Sequence, residues 1–289
     1  MEIEGKEVGF KMRSFRSCVS EAMHSVREAV QMQNKSNVVL FSILAFVMAA
    51  LNTWMFSLIP GIIYVGFDFR GIQFTLCLLA MVAMTLIVVS ILFSQVNKRK
   101  EICNIARMLK LIPANIAFLL VYVLVAAVVC YFYLVMKNNY TDVKLIELFY
   151  IFIIVYPLYF VFSLPLVYVN TKYMVETSTL DRKTFFHSYV SGFRNWGFIF
   201  STVFLALLCL CIADIFICLP LHALALIQNI ADFGKAANGD DIKLPKYFGV
   251  LVFLVSAAAY FIRFYFMSFM TYTGYYIYQT IECRRIEKN

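Results

Sequence analysis

Two ionisable residues lie inside apolar stretches of the sequence, where a charge is costly and therefore informative. Asp214 belongs to the run Gly197–Leu219, and Arg263 belongs to the run Tyr247–Met270. A charged side chain at the centre of a membrane helix costs about 2.5–3.5 kcal/mol on insertion scales. A carboxylate and a guanidinium could form a substrate or proton path, an interhelical salt bridge that fixes packing, or two separate groups that reach an interface. The sequence leaves these three interpretations open.

The depth of the two charges decides whether they can pair. Counted from the cytoplasmic ends of their runs at about 1.5 Å per residue, Asp214 and Arg263 lie at similar depths. Counted from the outer ends, their depths do not match. Pairing therefore predicts that the last helix continues through Tyr278, or that the preceding helix continues beyond Pro220.

Known catalytic and metal-binding patterns are missing from the sequence. The three histidines are dispersed, and the eight cysteines contain no CxxC pair. HExxH, GxSxG and Walker patterns do not occur. We therefore expect no catalytic residue, no metal and no cofactor. An intramembrane enzyme would need polar residues clustered at one depth, and the candidates are Asp214, Arg263, His222 and Glu147.

Prolines and aromatic residues have both functional and structural interpretations. Kinks are predicted at Pro113, Pro157 and Pro165, because proline removes a backbone hydrogen bond. Broken helices line binding sites in some transporters, although kinks also occur without such a role. A group of aromatic residues is predicted to form an interfacial belt, because basic residues follow it at once. A cavity lining is the alternative for its tyrosines. The belt residues are Trp196, Tyr272, Tyr275, Tyr276 and Tyr278.

Long hydrophobic helices must position these residues. Hydrophobic residues make up 62% of the 289-residue chain and charged residues 15%, against about 45–50% and about 25% in soluble proteins. A spanning helix needs about 20 mainly apolar residues. The qualifying runs are Val38–Ile59, Ile72–Phe93, Leu111–Met136, Leu145–Val169, Gly197–Leu219 and Tyr247–Met270. The predicted fold is an all-α, polytopic transmembrane bundle of six spans.

Basic residues predict the orientation of the spans. Most of the 25 Lys and Arg residues lie in the N-terminal segment, the second and fourth connections and the C-terminal tail. Because positive charge favours the cytoplasmic side, we expect both termini inside the cell, in a bacterial inner membrane. Expected partners are membrane lipids, including anionic ones, and a protein partner or a second copy of the chain. The topology explains the net charge of +8, so nucleic acid is not expected.

Amphipathic patterns occur in the cytoplasmic segments. Apolar residues at helical spacing in residues 1–36 predict an interfacial helix before the first span. Glu101–Lys110 and Leu180–Asn195 predict two more, and Leu221–Ile230 predicts a helix on the outer side. Residues 37–282 are predicted to form one six-helix domain, and residues 283–289 a cytoplasmic tail. Each of these cytoplasmic helices, with the two spans that follow it, could form a unit, and the three units start near residues 14, 99 and 178. They fit either an internal repeat or three unrelated cytoplasmic segments that each precede a span.

The segment Thr184–Trp196 ends in Phe193-Arg194-Asn195-Trp196 and runs directly into the fifth span. In this respect the chain resembles uncharacterised bacterial six-helix membrane proteins, including membrane domains attached to some glycerophosphodiester phosphodiesterases. The resemblance covers a short part of the chain and implies a six-helix membrane fold. No hydrolase domain is present, so it implies no activity.

Three classes of function fit these patterns. A non-enzymatic scaffold, assembly factor or lipid-interacting component fits the interfacial helices, the short outer loops and the few intramembrane charges. A transporter or permease subunit fits a layout that resembles ABC-2-type export permeases, although the long cytoplasmic segment before the fifth span departs from that layout. The third class is an intramembrane enzyme. A dry or lipid-filled interior favours the first class, and a wet central cavity favours the second.

Overall fold

A computed structural model describes residues 11–32, 35–65, 69–137, 145–176, 181–238 and 244–288. Residues 1–10 of the predicted N-terminal segment lie outside this part of the chain. The described residues are helical apart from short connections and include no strand, which confirms the all-α class. In order, the helices are α1 (Phe15–Met32), α2 (Lys35–Val65), α3 (Phe69–Asn97), α4 (Glu101–Lys137), α5 (Leu145–Val175), α6 (Arg182–Arg194), α7 (Trp196–Asn238) and α8 (Phe248–Lys288).

Several of these helices are long and apolar. Within the described residues, four segments are long and apolar enough to cross a membrane: Gly71–Asn97, Glu101–Tyr133, Trp196–Gln228 and Phe248–Glu287. A helix crosses the hydrocarbon core with about 20 residues, so each segment exceeds the required length. The chain is therefore a helical membrane protein.

Three helices extend further than the sequence analysis expects. Helix α4 includes the segment Glu101–Lys110 and continues through Pro113 into the predicted third span. Helix α7 continues through Pro220 and includes the predicted outer helix Leu221–Ile230. Helix α8 continues to Lys288, so the predicted tail is mainly its last turns. A proline removes one backbone hydrogen bond, and the flanking leucine and alanine residues favour helix, so the helix continues through it.

The described chain packs as two compact units. The first unit contains the residues up to Cys18, residues Phe93–Val203 and the residues from Gly274 onward. The second unit contains Val19–Leu92 and Phe204–Thr273. Each unit has its own buried apolar cluster. In the second unit the rings of Phe41 and Phe264 are fully buried with centroids 5.9 Å apart. In the first unit Leu111, Tyr173 and Met174 pack together.

Helix α6 approaches α5 closely at Gly192. A Cβ atom on Gly192 would lie 3.2 Å from both the Cβ and the carbonyl oxygen of Pro165, and 3.3 Å from the Tyr168 ring. These neighbours are a rigid proline ring, a backbone atom and a fully buried ring, so none can move away easily. In contrast, a Cβ atom on Gly197 in α7 would meet nothing within 4 Å. The missing side chain of Gly192 is therefore what allows the contact.

We expect Gly192→Ala to destabilise the protein by about 1–3 kcal/mol, because the added methyl group overpacks this contact. Gly197→Ala is the matched control, and we expect it to be neutral or to stabilise by about 0.5–1 kcal/mol, because alanine favours helix over glycine. The measurement is the thermal unfolding midpoint of each purified variant in the same detergent. Equal midpoints for the two variants would contradict the close approach at Gly192.

Candidate functional site

Asp214 of α7 and Arg263 of α8 form a two-point ion pair inside the second unit. The Arg263 Nε atom lies 2.8 Å from Asp214 Oδ1, and Nη2 lies 3.0 Å from Oδ2. The Arg263 side chain is 35% exposed and that of Asp214 is 41% exposed. Helix α7 continues past Pro220 and α8 continues through Tyr278, as the depths of the two charges require. A two-point pair fixes orientation as well as distance, because the planar guanidinium matches the carboxylate.

Cys218 and His222 follow Asp214 at intervals of one turn on α7. The Arg263 Nη2 atom lies 2.9 Å from Cys218 Sγ, and His222 Nδ1 donates to the Cys218 carbonyl at 2.7 Å. In the part of the chain that the structure describes, no group of three or more metal-ligand residues comes together. The side chain of Glu147, the fourth residue considered for an enzyme, lies outside the described residues.

A second set of polar contacts forms around Pro165 in the first unit. Proline at this position leaves the Val161 carbonyl without its usual helical donor. Trp196 supplies one instead, since its indole Nε1–H donates to the Val161 oxygen at 3.0 Å. The neighbouring Phe162 carbonyl accepts from the Tyr189 hydroxyl at 2.8 Å. Partial burial raises the pKa of Tyr189, so its hydroxyl keeps the proton that it donates.

Basic and amide side chains cover the C-terminal end of α5. The Arg107 guanidinium donates to the Tyr173 carbonyl, and at 2.7 Å to the Glu176 carbonyl. Arg99 Nη2 donates to the Val175 carbonyl at 3.0 Å, and Asn97 Nδ2 donates to the Met174 carbonyl at 3.0 Å. The last four carbonyls of a helix lack partners within the helix, and cations there also favour the helix dipole. These donors satisfy that end of α5.

A buried charged network joins α5 to α8 in the first unit. Lys172 and Glu282 are each only 8% exposed, and the Lys172 ammonium contacts the Glu282 carboxylate. The Tyr168 hydroxyl donates to the same carboxylate. Lys172 also lies 3.4 Å from Glu176, which accepts from the Tyr278 hydroxyl at 3.0 Å. The sequence did not predict this network, because Lys172 counts there only as a positive charge of the fourth connection, and neither Glu176 nor Glu282 is considered as its partner.

One sequence signal could have indicated the network. Lys172 and Glu176 lie four residues apart just after the apolar run Leu145–Val169, and Glu282 follows the apolar run Tyr247–Met270. Charges at the same end of two long helices are able to meet if the helices pack side by side. That condition depends on tertiary packing, which the sequence patterns did not reveal.

A polar pocket of about 340 Å³ lies between α6 and α8. Arg284 is held in its wall by the Phe198 ring, 4.4 Å from its guanidinium carbon, and by Asn195 Oδ1 at 3.5 Å. Arg285 lies 3.7 Å from Glu282 and 3.5 Å from His187 Nε2. The pocket lining is His187, Val190, Ser191, Arg194, Asn195, Ile281, Arg284 and Arg285. We name it the basic pocket.

An apolar groove of about 370 Å³ lies between α4 and α5. Ring packing narrows it at Tyr122 and Tyr159, whose centroids are 4.9 Å apart. One end meets α6, since Phe118 lies 5.3 Å from the Tyr189 ring. The groove lining is Ala117, Phe118, Val121, Tyr122, Val125, Val155, Tyr159 and Phe162.

The residues of the predicted aromatic belt lie in different surroundings. Trp196 is half-buried and stacks on Phe200 with centroids 5.0 Å apart. Tyr276 is half-buried beneath the Arg13 guanidinium at 4.7 Å, and Tyr272 and Tyr275 are also half-buried. Tyr278 is buried and bonded to Glu176, so it packs inside the protein.

The three predicted kink residues all lie inside helices. Pro113 is exposed within α4, and Pro157 is exposed within α5. Pro165 is buried within α5, where α6 packs against it. At Pro165 a side chain replaces the missing helical donor, since Trp196 donates to the Val161 carbonyl.

Comparison of the chain with family models, curated proteins and solved structures finds no match. The ion pair, the buried network, the basic pocket and the apolar groove are therefore the features from which a function can be inferred.

We expect Trp196→Phe to destabilise the protein by about 1–3 kcal/mol, because it leaves the Val161 carbonyl unsatisfied. Tyr189→Phe should act in the same direction through the Phe162 carbonyl. Tyr131→Phe is the control, because Tyr131 is 63% exposed and its ring packs against Phe132. Thermal unfolding in detergent measures all three variants. If Trp196→Phe unfolds at the same temperature as the control, the indole does not replace the lost helical bond.

We expect Asp214→Asn and Arg263→Gln each to lower the amount of folded protein severalfold, because each leaves one charge unpaired among apolar helices. The double variant should recover most of the loss if the pair serves packing. The measurement is the monodisperse fraction of a fluorescent fusion in size-exclusion chromatography. Normal abundance of both single variants would contradict a structural role and would favour a functional one.

Proposed function

We propose that the protein is a non-enzymatic integral membrane protein that binds membrane lipid. The observation that carries this proposal is the surface of α4, whose apolar side chains remain uncovered around most of the helix. Leu120, Val121 and Leu124 are each at least 60% exposed. Water would make such a surface unfavourable, since burial of apolar area is worth about 25 cal/mol per Å². Lipid chains cover it without that cost.

The apolar groove gives this lipid contact a defined place. It lies on the exposed side of α4 and α5, and its lining is almost wholly carbon. A hydrocarbon chain is the ligand that such a surface favours, because no polar group in the groove would need a partner. The groove does not supply a wet path, which favours a lipid-binding component over a transporter.

We infer that α2 and α5 also cross the membrane, which gives six spans with both termini in the cytoplasm. Each of these helices is 31 residues long. The basic residues of the connections support this orientation, and bacterial inner membrane is the location that we propose. Helices α1 and α6 would then lie at the cytoplasmic interface. For α6, the exposed rings of Phe186 and Phe193 support that position. The resemblance to bacterial six-helix membrane proteins belongs to the same proposal.

Transport is the second candidate, and the Asp214–Arg263 pair favours it. Both side chains keep more than a third of their surface exposed although they lie between long apolar helices. Charges in membrane spans commonly mark substrate or ion paths. A permease of this kind would need a cytoplasmic ATPase partner, which native co-purification would reveal.

We expect Ala117→Trp to reduce the amount of phospholipid that the protein retains through size-exclusion chromatography in mild detergent, because the indole fills the apolar groove. Ala127→Trp is the matched control on the same helix, since Ala127 is exposed but does not line the groove. Mass spectrometry of the extracted lipid gives the molar ratio. If the wild-type protein retains no lipid, or if both variants retain it equally, lipid binding at the groove is wrong.

A further inference from the structure

The basic pocket concentrates positive charge on one side of α6. Arg194 comes from the end of α6, and Arg284 and Arg285 come from the last turns of α8. Ser191 and His187 add polar groups one and two turns before the end of α6. No carboxylate is part of the pocket lining. Glu282, which lies 3.7 Å from Arg285, is already engaged with Lys172 and Tyr168. The pocket therefore keeps an excess of positive charge.

Two of the three arginines in the basic pocket are held by contacts with other described residues, and the third is not. Arg284 is positioned by the Phe198 ring and by Asn195, and Arg285 is positioned by Glu282 and His187. Arg194 is exposed, and it makes no hydrogen bond or ion pair with the residues that the structure describes. Two guanidinium groups are thus held in place, and a third is available to close on a bound anion.

Helix α6 also places the pocket beside apolar surface. Val190 lines the pocket, and the rings of Phe186 and Phe193 are exposed on the adjoining side of the helix. Tyr189 and Gly192, on another side, pack against α5. A ligand with a phosphate group and a hydrocarbon part would match both the charged pocket and the apolar rings next to it.

We propose that the basic pocket binds the phosphate group of an anionic phospholipid headgroup. The pocket has a volume of about 340 Å³, which leaves room for a phosphate-containing headgroup. Guanidinium groups suit phosphate, because they donate two parallel hydrogen bonds and stay charged. Ser191 and Asn195 add polar side chains to the lining. This inference rests on the proposed lipid-binding function and assigns it a headgroup site. A soluble phosphate ester shares the same chemistry, and the experiment separates the two sources.

The test uses the full-length protein in mild detergent and measures lipid binding by native mass spectrometry. The probes are phosphatidylglycerol and the zwitterionic phosphatidylcholine with the same chains, and the competitors are inorganic phosphate and glycerol 3-phosphate. Arg194→Gln is the principal variant, because Arg194 has no described partner whose loss would unfold the protein. Arg16→Gln, at an exposed position of α1, removes the same charge elsewhere. Unliganded unfolding midpoints check that both variants fold.

We expect wild-type protein to prefer phosphatidylglycerol, and Arg194→Gln to weaken that binding about tenfold, as the loss of a charge-assisted hydrogen bond implies. Arg194→Lys should bind phosphatidylglycerol with an affinity between those of the wild type and Arg194→Gln. Lysine keeps the positive charge but cannot donate two parallel hydrogen bonds. Arg16→Gln should bind as the wild type does. If the phosphate competitors do not displace the lipid, the ligand is a lipid. If they bind with the same dependence on Arg194, the phosphate site stands with a soluble source.

Two results would overturn the headgroup site. Equal weakening by Arg194→Gln and Arg16→Gln would show general attraction to surface charge. Equal binding of both lipids would show that the pocket does not select an anionic headgroup, because phosphatidylcholine carries a phosphate group as well. The Ala117→Trp experiment separates this failure from that of the proposed function. If that variant loses its lipid while Arg194→Gln changes nothing, the protein binds lipid and the basic pocket does not select it.

Discussion

Helix α5 cannot satisfy its own backbone, and the rest of the first unit is arranged around that requirement. A buried carbonyl that has no hydrogen-bond partner costs about 1–3 kcal/mol. Pro165 removes the donor to the Val161 carbonyl, and Trp196 replaces it from the start of α7. Tyr189 of α6 adds a hydrogen bond to the neighbouring Phe162 carbonyl. At the C-terminal end, Arg99 and Arg107 provide donors from the segment that leads into α4 and from α4 itself.

Two ion pairs extend the same requirement to side chains. The buried Lys172 and Glu282 join α5 to α8 in the first unit, and the half-buried Asp214 and Arg263 join α7 to α8 in the second. A buried ion pair adds little net stability, since desolvation cancels much of the attraction, but removal of one partner is costly. Such pairs therefore contribute mainly to specificity, because alternative helix positions would leave a charge unpaired.

Helix α6 connects the packing of the first unit to its proposed function. Gly192 allows its close approach to Pro165, and Tyr189 packs against Phe118 at one end of the apolar groove. The opposite side of this helix carries His187 and Arg194 to the basic pocket. One short helix therefore borders both surfaces that we assign to lipid, and its position depends on the bond pattern around Pro165.

The sequence alone determined the helical membrane class, because long apolar runs cannot fold in water. It also indicated the Asp214–Arg263 pair as one interpretation, since charges inside apolar runs are rare and their depths could be compared. The helix ends were not predictable to the same degree, because Pro113 and Pro220 each remove only one hydrogen bond and the helix continues. Lys172, Glu176 and Glu282 read as ordinary charges near span ends. Only the tertiary structure brings them together, because side-by-side packing of α5 and α8 depends on contacts between residues more than 100 positions apart.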